Sequence, residues 1–170
     1  WQAPDFTLPD ADNQLHELDS LVGLNGLLIA FICNHCPYVR AIIDRLVSDA
    51  TALQHHGINT VAIMPNDYHS YPEDSPENML AFITRHQIPF PYLLDETQQV
   101  ARAYAAVCTP DFFGLNAECK LHYRGRLDDA KMGTTDNRKP ELLEAMIKVA
   151  ETGQGPEHQA PSMGCSIKWR

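Results

Sequence analysis

Cys33 and Cys36 are separated by two residues, Asn34 and His35. Two thiols one helical turn apart can close a disulfide and reopen it, provided one of them is held as the thiolate that attacks another disulfide. A strand-to-helix junction meets that condition, because the unpaired N–H groups and the dipole of a helix N-terminus stabilise a negative sulfur. The pair is read with Cys33 as the exposed nucleophile and Cys36 as the buried resolving thiol. His35 would favour the Cys33 thiolate as a cation or hydrogen-bond donor; its alternative is a solvated loop position without effect. A zinc site on the same residues needs a second ligand pair, and no other Cys-x-x-Cys or His-x3-His pair occurs. Haem attachment needs His after the second cysteine, where Pro37 stands. No metal or other cofactor is expected.

The elements around the pair supply the junction. Residues 27–32 are a continuous apolar run, as in a parallel strand covered on both faces. After Cys36, apolar positions Val39, Ile42, Ile43, Leu46, Val47 and Leu53 fall at helical spacing. Pro37 suits the first turn of that helix, and Gly57 ends it. A second strand is predicted over 58–64, a helix from Ser75-Pro76 to about His86, and a short strand over 90–94. Asp95 with Gln98 reads as a capping pair opening a helix to about Tyr104. Residues 111–115 and 119–123 flank a polar turn at Asn116-Ala117-Glu118, which predicts a hairpin. Leu142, Leu143, Met146, Val149 and Ala150 mark a last helix. At the start, Pro4 and Pro9 make residues 3–10 an extended segment. The order gives an α/β fold, a mixed central sheet with helices on both faces.

A chain of 170 residues, 44% hydrophobic and 21% charged, fits one domain spanning 1–170. A net charge of −9 argues against nucleic acid or an anionic membrane as partner. No apolar run approaches the ~18 residues of a membrane span. Five cysteines are too sparse for a disulfide scaffold and odd in number, which points to a reducing, cytoplasmic location.

At this point the sequence resembles the thioredoxin superfamily, and within it the branch of alkyl hydroperoxide reductase and thiol-specific antioxidant proteins. Ala3-Pro4-Asp5-Phe6-Thr7-Leu8 is similar to that branch's entry segment. Phe31-Ile32-Cys33-Asn34-His35-Cys36-Pro37 is similar to its active-site loop, and Thr109-Pro110-Asp111-Phe112-Phe113 to the segment holding a cis-proline that faces the dithiol. The resemblance implies a thioredoxin-like fold and assigns substrate binding to Thr109 and Pro110. The chain also departs from the pattern. Thioredoxins carry Trp-Cys-Gly-Pro-Cys and a buried Asp beneath the resolving cysteine, yet residues 27–32 contain no acid. Peroxiredoxins carry Thr-x-x-Cys; here Cys33 takes the threonine position, and Cys36 followed by Pro37 matches the peroxidatic site.

Three further cysteines need readings. Cys108 precedes Thr109-Pro110, so it is either a third thiol near the pair or a small buried hydrophobe. Cys119 reads as a core residue of a hairpin strand. Cys165 lies in a C-terminal tail, 155–170. The part over 155–161 is polar and proline-bounded, but Met163, Ile167 and Trp169 are too apolar for a disordered end. The tail, which resembles the Gly-Cys-Ser-Ile-Lys-Trp ending of this branch, is expected to fold back. Cys165 is then either unreactive or an exchange partner of Cys33. His55 and His56 close a helix without a ligand role, and the polar stretches 125–129 and 133–138 read as solvated loops.

The leading function is a thiol–disulfide oxidoreductase acting on a protein or small-molecule disulfide with an unidentified reducing partner. The alternative is a thiol peroxidase using Cys36 or Cys33 on a hydroperoxide. A third reading is a copper-binding protein of the same fold, with thiolates and His35 or His122 as ligands.

Overall fold

The computed structural model describes residues 1–130, 132–133 and 137–170. In chain order the elements are β1 (Thr7–Pro9), β2 (Leu15–Glu17), α1 (Leu18–Leu21), β3 (Gly26–Phe31), α2 (Pro37–Gln54) and β4 (Ile58–Met64). A 3-10 turn (Pro72–Asp74), α3 (Pro76–His86), β5 (Tyr92–Leu94), α4 (Gln99–Ala103) and β6 (Cys108–Thr109) follow. The chain closes with β7 (Asp111–Asn116), β8 (Leu121–Gly125), α5 (Glu141–Thr152) and β9 (Cys165–Ser166).

The central sheet runs β5-β4-β3-β7-β8, parallel across β5, β4 and β3 and antiparallel across β7 and β8. Every residue of β3 is buried, as its unbroken apolar run requires. Its side chains alternate between two cores. Leu28 and Ala30 face the core that holds α2, α3 and α5, whereas Leu27, Ile29 and Phe31 face the one that holds α1 and α4. This is the expected mixed sheet with helices on both faces. Isolated bridges, Gln2 with Lys120 and Asp10 with Leu93, bind the extended N-terminal segment to the sheet.

Several local expectations change. The strand predicted over 90–94 starts only at Tyr92, because Pro89 and Pro91 have no N–H to donate. Asp95 and Gln98 do not form a capping pair. Gln98 is left-handed (φ 65°), and α4 starts after it. Asp95 instead accepts the Ala101 N–H at 2.8 Å. The hairpin turn is longer than predicted, since Asn116 Oδ1 accepts the N–H groups of Glu118 and Lys120 and holds the chain back from pairing. Cys119 is therefore a turn residue with φ 60°, not a strand residue.

The stretch 125–129 is not a solvated loop. Gly125 ends β8, Leu127 is buried, and Asp128 is a buried carboxylate paired with Arg45 at 2.8 Å and Arg138 at 3.2 Å. Arg138 also meets Asp49 at 2.6 Å, so the network locks the 128 and 138 regions to α2. The reading made for 134–136 lies outside the described residues.

Candidate active site

β3 ends at Phe31 and α2 begins at Pro37, so Cys33 to Cys36 form the junction between them. Cys36 is the N-cap of α2 and Pro37 its first residue, where a missing N–H costs nothing. All five cysteines are thiols.

Both active-site sulfurs are covered. Cys33 is 1% and Cys36 0% exposed, so the expected exposed nucleophile at Cys33 is not what the fold presents. The groups that favour a thiolate also converge on the other cysteine. Cys36 is pushed well below the ordinary thiol range, first because the Cys33 thiol donates to it. The Cys165 thiol and the Val39 N–H of the first helical turn add to the effect. Cys33 is held up as a thiol by that same shared proton, by burial and by the Asp74 carboxylate. The contacts of the pair therefore favour negative charge on Cys36 over Cys33, and neither sulfur is exposed.

The Asn34-His35 bridge is anchored by residues the sequence reading passed over. Asp74 Oδ1 accepts the Asn34 N–H at 2.8 Å, and Tyr92 donates its hydroxyl to Asn34 Oδ1 at 2.9 Å. Arg40 Nε donates to the Asn34 carbonyl at 3.1 Å. Burial, the Cys33 sulfur and the Asp74 charge keep the Tyr92 proton in place by raising its pKa well above the usual phenol value. His35 Nδ1 lies 2.7 Å from Asp74 Oδ2, although its N–H direction does not close an aligned hydrogen bond. Asn66 Nδ2 donates to the same oxygen at 3.0 Å. Asp74 thus supplies the buried carboxylate that β3 lacks, from the loop after β4, and it faces Cys33 rather than Cys36. The signal for it was topological: a polar ten-residue stretch, 66–75, leaves the carboxyl end of a parallel strand beside the dithiol.

Thr109-Pro110 is a cis peptide. Thr109 Oγ1 is 3.5 Å from Cys33 Sγ, and the Cys36 thiol, when protonated, donates to the Thr109 carbonyl at 3.4 Å. Cys108 is turned the other way by strand alternation. Its sulfur meets the Pro110 carbonyl at 3.4 Å, and burial pushes its thiol up to about 12. Cys165 is brought in. β9 pairs antiparallel with β6, Thr109 opposite Cys165 and Cys108 opposite Ser166. Of the three apolar tail residues, only Ile167 enters the core, at 3% exposure; Met163 is exposed, and the Trp169 ring, 37% exposed, stacks on Arg102 at 4.4 Å.

One ligand atom each from Cys33, His35 and Asp74 lie within 4.8 Å of one another. His122 is not in that group and accepts the Gly155 N–H instead. A set with one sulfur and one carboxylate is not the soft thiolate set that selects Cu(I).

The sequence pattern of the AhpC/TSA family matches residues 1–124. An uncharacterised conserved protein from Geobacillus kaustophilus is 43% identical, with a TM-score of 0.93, and the match covers 100% of this chain and 91% of that one. A hypothetical protein from Sinorhizobium meliloti is 39% identical, with a TM-score of 0.92, covering 99% and 93%. A secreted Mycobacterium tuberculosis disulfide oxidoreductase shares the fold at 19% identity and a TM-score of 0.58, covering 68% and 79%. No curated protein matches the sequence. Among the described residues, no helix is long and apolar enough to cross a membrane.

Proposed function

Because this chain belongs to the AhpC/TSA family, we propose that it works as a thiol–disulfide oxidoreductase whose redox couple is Cys33–Cys36. One observation carries the reading: Cys33 and Cys36 sit at the start of α2 with both sulfurs against Thr109, at 3.5 Å from its hydroxyl and 3.4 Å from its carbonyl, beside the cis-Pro110 bond. The two groups that must bond in the oxidised state thus face the same residue.

The chemistry follows from that pair. Once the C-terminal tail lifts off Thr109, the Cys36 thiolate attacks one sulfur of a substrate disulfide, and the other substrate sulfur leaves and takes up a proton. Cys33, having lost its own proton, then attacks the Cys36 sulfur of the mixed disulfide. The second substrate thiol is released and the Cys33–Cys36 disulfide closes. Two electrons have passed from the dithiol to the substrate, and a thiol reductant returns them. The polar frame of Asn34, Asp74 and Tyr92 holds the bridge between the two cysteines in one conformation throughout. Five cysteines, sparse and odd in number, suit a reducing compartment, and we place the protein in the cytoplasm.

A peroxidase reading is supported by one feature, a cysteine followed by proline at the start of α2, Cys36-Pro37. Against it, the position where peroxiredoxins hold a threonine hydroxyl is occupied by the Cys33 thiol, a weaker donor. Turnover on a dithiol-reduced disulfide and on hydrogen peroxide, measured side by side, separates the two. Disulfide turnover that Cys36→Ser abolishes supports the oxidoreductase. Peroxide oxidation at rates above disulfide exchange would replace it with the peroxidase.

A further inference from the structure

With the tail docked, neither active-site sulfur is reachable from solvent, while Cys165 is only partly covered. The thiol that touches both the dithiol and the outside is therefore Cys165. Its orientation is fixed by strand pairing. Residues opposite each other on antiparallel strands project to the same side, and Thr109, opposite Cys165, directs Oγ1 at Cys33. Cys165 consequently lies against the core that contains Cys33 and Cys36. Its thiol is within hydrogen-bonding reach of the Cys36 sulfur, and the Tyr38 N–H of the first turn of α2 points at its own sulfur.

The docking is specific rather than a loose fold-back. A Cβ on Gly164 would collide with the Thr109 carbonyl, so glycine is what lets the tail approach this closely. Ser162 donates to the Pro110 carbonyl at 2.6 Å on one side of Cys165. On the other, Lys168 is held through both backbone groups: its N–H donates to Asn66 at 2.9 Å, and its carbonyl accepts from Gln98 at 2.9 Å. Asn66 is also the residue that donates to Asp74, so one side chain joins the tail to the frame of the dithiol.

We propose that Cys165 is a third redox thiol of this site, exchanging with Cys36, and that the Cys36–Cys165 disulfide is the form a low-molecular-weight thiol reduces. The inference rests on the Cys33–Cys36 reading above. In the exchange, the Cys165 thiolate attacks the Cys36 sulfur of the Cys33–Cys36 disulfide. The 36–165 bond forms, the 33–36 bond breaks, and Cys33 leaves and takes the proton shed by Cys165; no electrons enter or leave. A solvent thiol then attacks Cys165, displacing Cys36, which leaves as a thiolate at the N-terminus of α2. A second molecule of that thiol attacks the resulting mixed disulfide, frees Cys165 and departs as the reductant's disulfide. The reductant is small because the tail fills the Thr109 edge, where an extended polypeptide would otherwise add as a strand.

The test uses the full chain. Wild type and Cys33→Ser are oxidised with oxidised dithiothreitol, trapped with N-ethylmaleimide and mapped by non-reducing peptide mass spectrometry. A 36–165 peptide in wild type beside the 33–36 one, and as the main product in Cys33→Ser, is the expected result. Absence of a 36–165 link from both overturns the proposal; if wild type still forms the 33–36 link, the oxidoreductase reading survives, and if it forms neither, both fall. Should Cys33→Ser fail to fold, Cys165→Ser decides. Its oxidised form should be reduced by glutathione at least about tenfold more slowly than wild type, since access and leaving group set the exchange rate. An unchanged rate overturns the proposal.

Discussion

His35 holds Nδ1 2.7 Å from Oδ2 of Asp74, a carboxylate whose side chain has no exposed surface. The imidazole is thereby held against a buried carboxylate and within 4.8 Å of the Cys33 sulfur. Removing it with His35→Ala leaves that carboxylate only its Asn34 and Asn66 donors, makes the thiolate harder to form and lowers the reduction potential. Asp74→Asn removes the charge that disfavours the Cys33 thiolate and raises it. Each shift should be on the order of 30 mV, equivalent to about 1.4 kcal/mol for a two-electron couple. Glutathione titrations of the two variants check the signs; shifts in the same direction would contradict this account. The wild-type potential should lie above the roughly −270 mV of thioredoxin.

The thiolate should titrate at Cys36. Absorbance at 240 nm followed against pH should show one thiolate forming well below the ordinary thiol value of about 8.5. Cys36→Ser removes that step, whereas Cys33→Ala keeps it and moves it upward by deleting the donor. A step lost in Cys33→Ala and retained in Cys36→Ser would restore the opposite assignment. The linkage has a definite sign. A proton bound more weakly in the folded than in the unfolded chain contributes stability above the unfolded pKa, and the contribution is lost as pH falls through the folded one. The advantage of reduced wild type over Cys36→Ser should accordingly shrink on acidification.

Much of this arrangement was legible in the sequence. The apolar run before Cys33 and the helical spacing after Cys36 place the dithiol at a strand-to-helix junction, and the fold follows from that order. The frame around it was not legible. Asp74, Asn66 and Tyr92 sit far from Cys33 in the chain and become relevant only when β4 and β5 lie beside β3. The distinction between Cys33 and Cys36 depends on which sulfur the first helical turn and the tail reach, and Cys-x-x-Cys spacing carries no information about that. Cys108 and Cys165 were equivalent as candidates; a single strand register turns one away and the other in.

Gly164→Ala should loosen the tail, because the added methyl meets the Thr109 carbonyl. Brief iodoacetamide labelling of the native reduced protein should then modify Cys33 and Cys36 as well as Cys165. Labelling still confined to the partly exposed Cys119 and Cys165 would mean that the tail does not control access to the dithiol.

Asp128→Ala should destabilise the fold by about 2–3 kcal/mol, since it strips a buried partner from both Arg45 and Arg138. Urea unfolding measures the loss. A change below about 1 kcal/mol would show that the network is solvated rather than structural.

The central claim, that Cys33 and Cys36 form the redox couple, is tested most directly by equilibrating the protein across a series of reduced-to-oxidised glutathione ratios and mapping its disulfides at each. A reversible two-electron transition whose oxidised form carries the Cys33–Cys36 disulfide is the predicted result. An oxidised form with glutathione on Cys36 and no bond between these two sulfurs would contradict it.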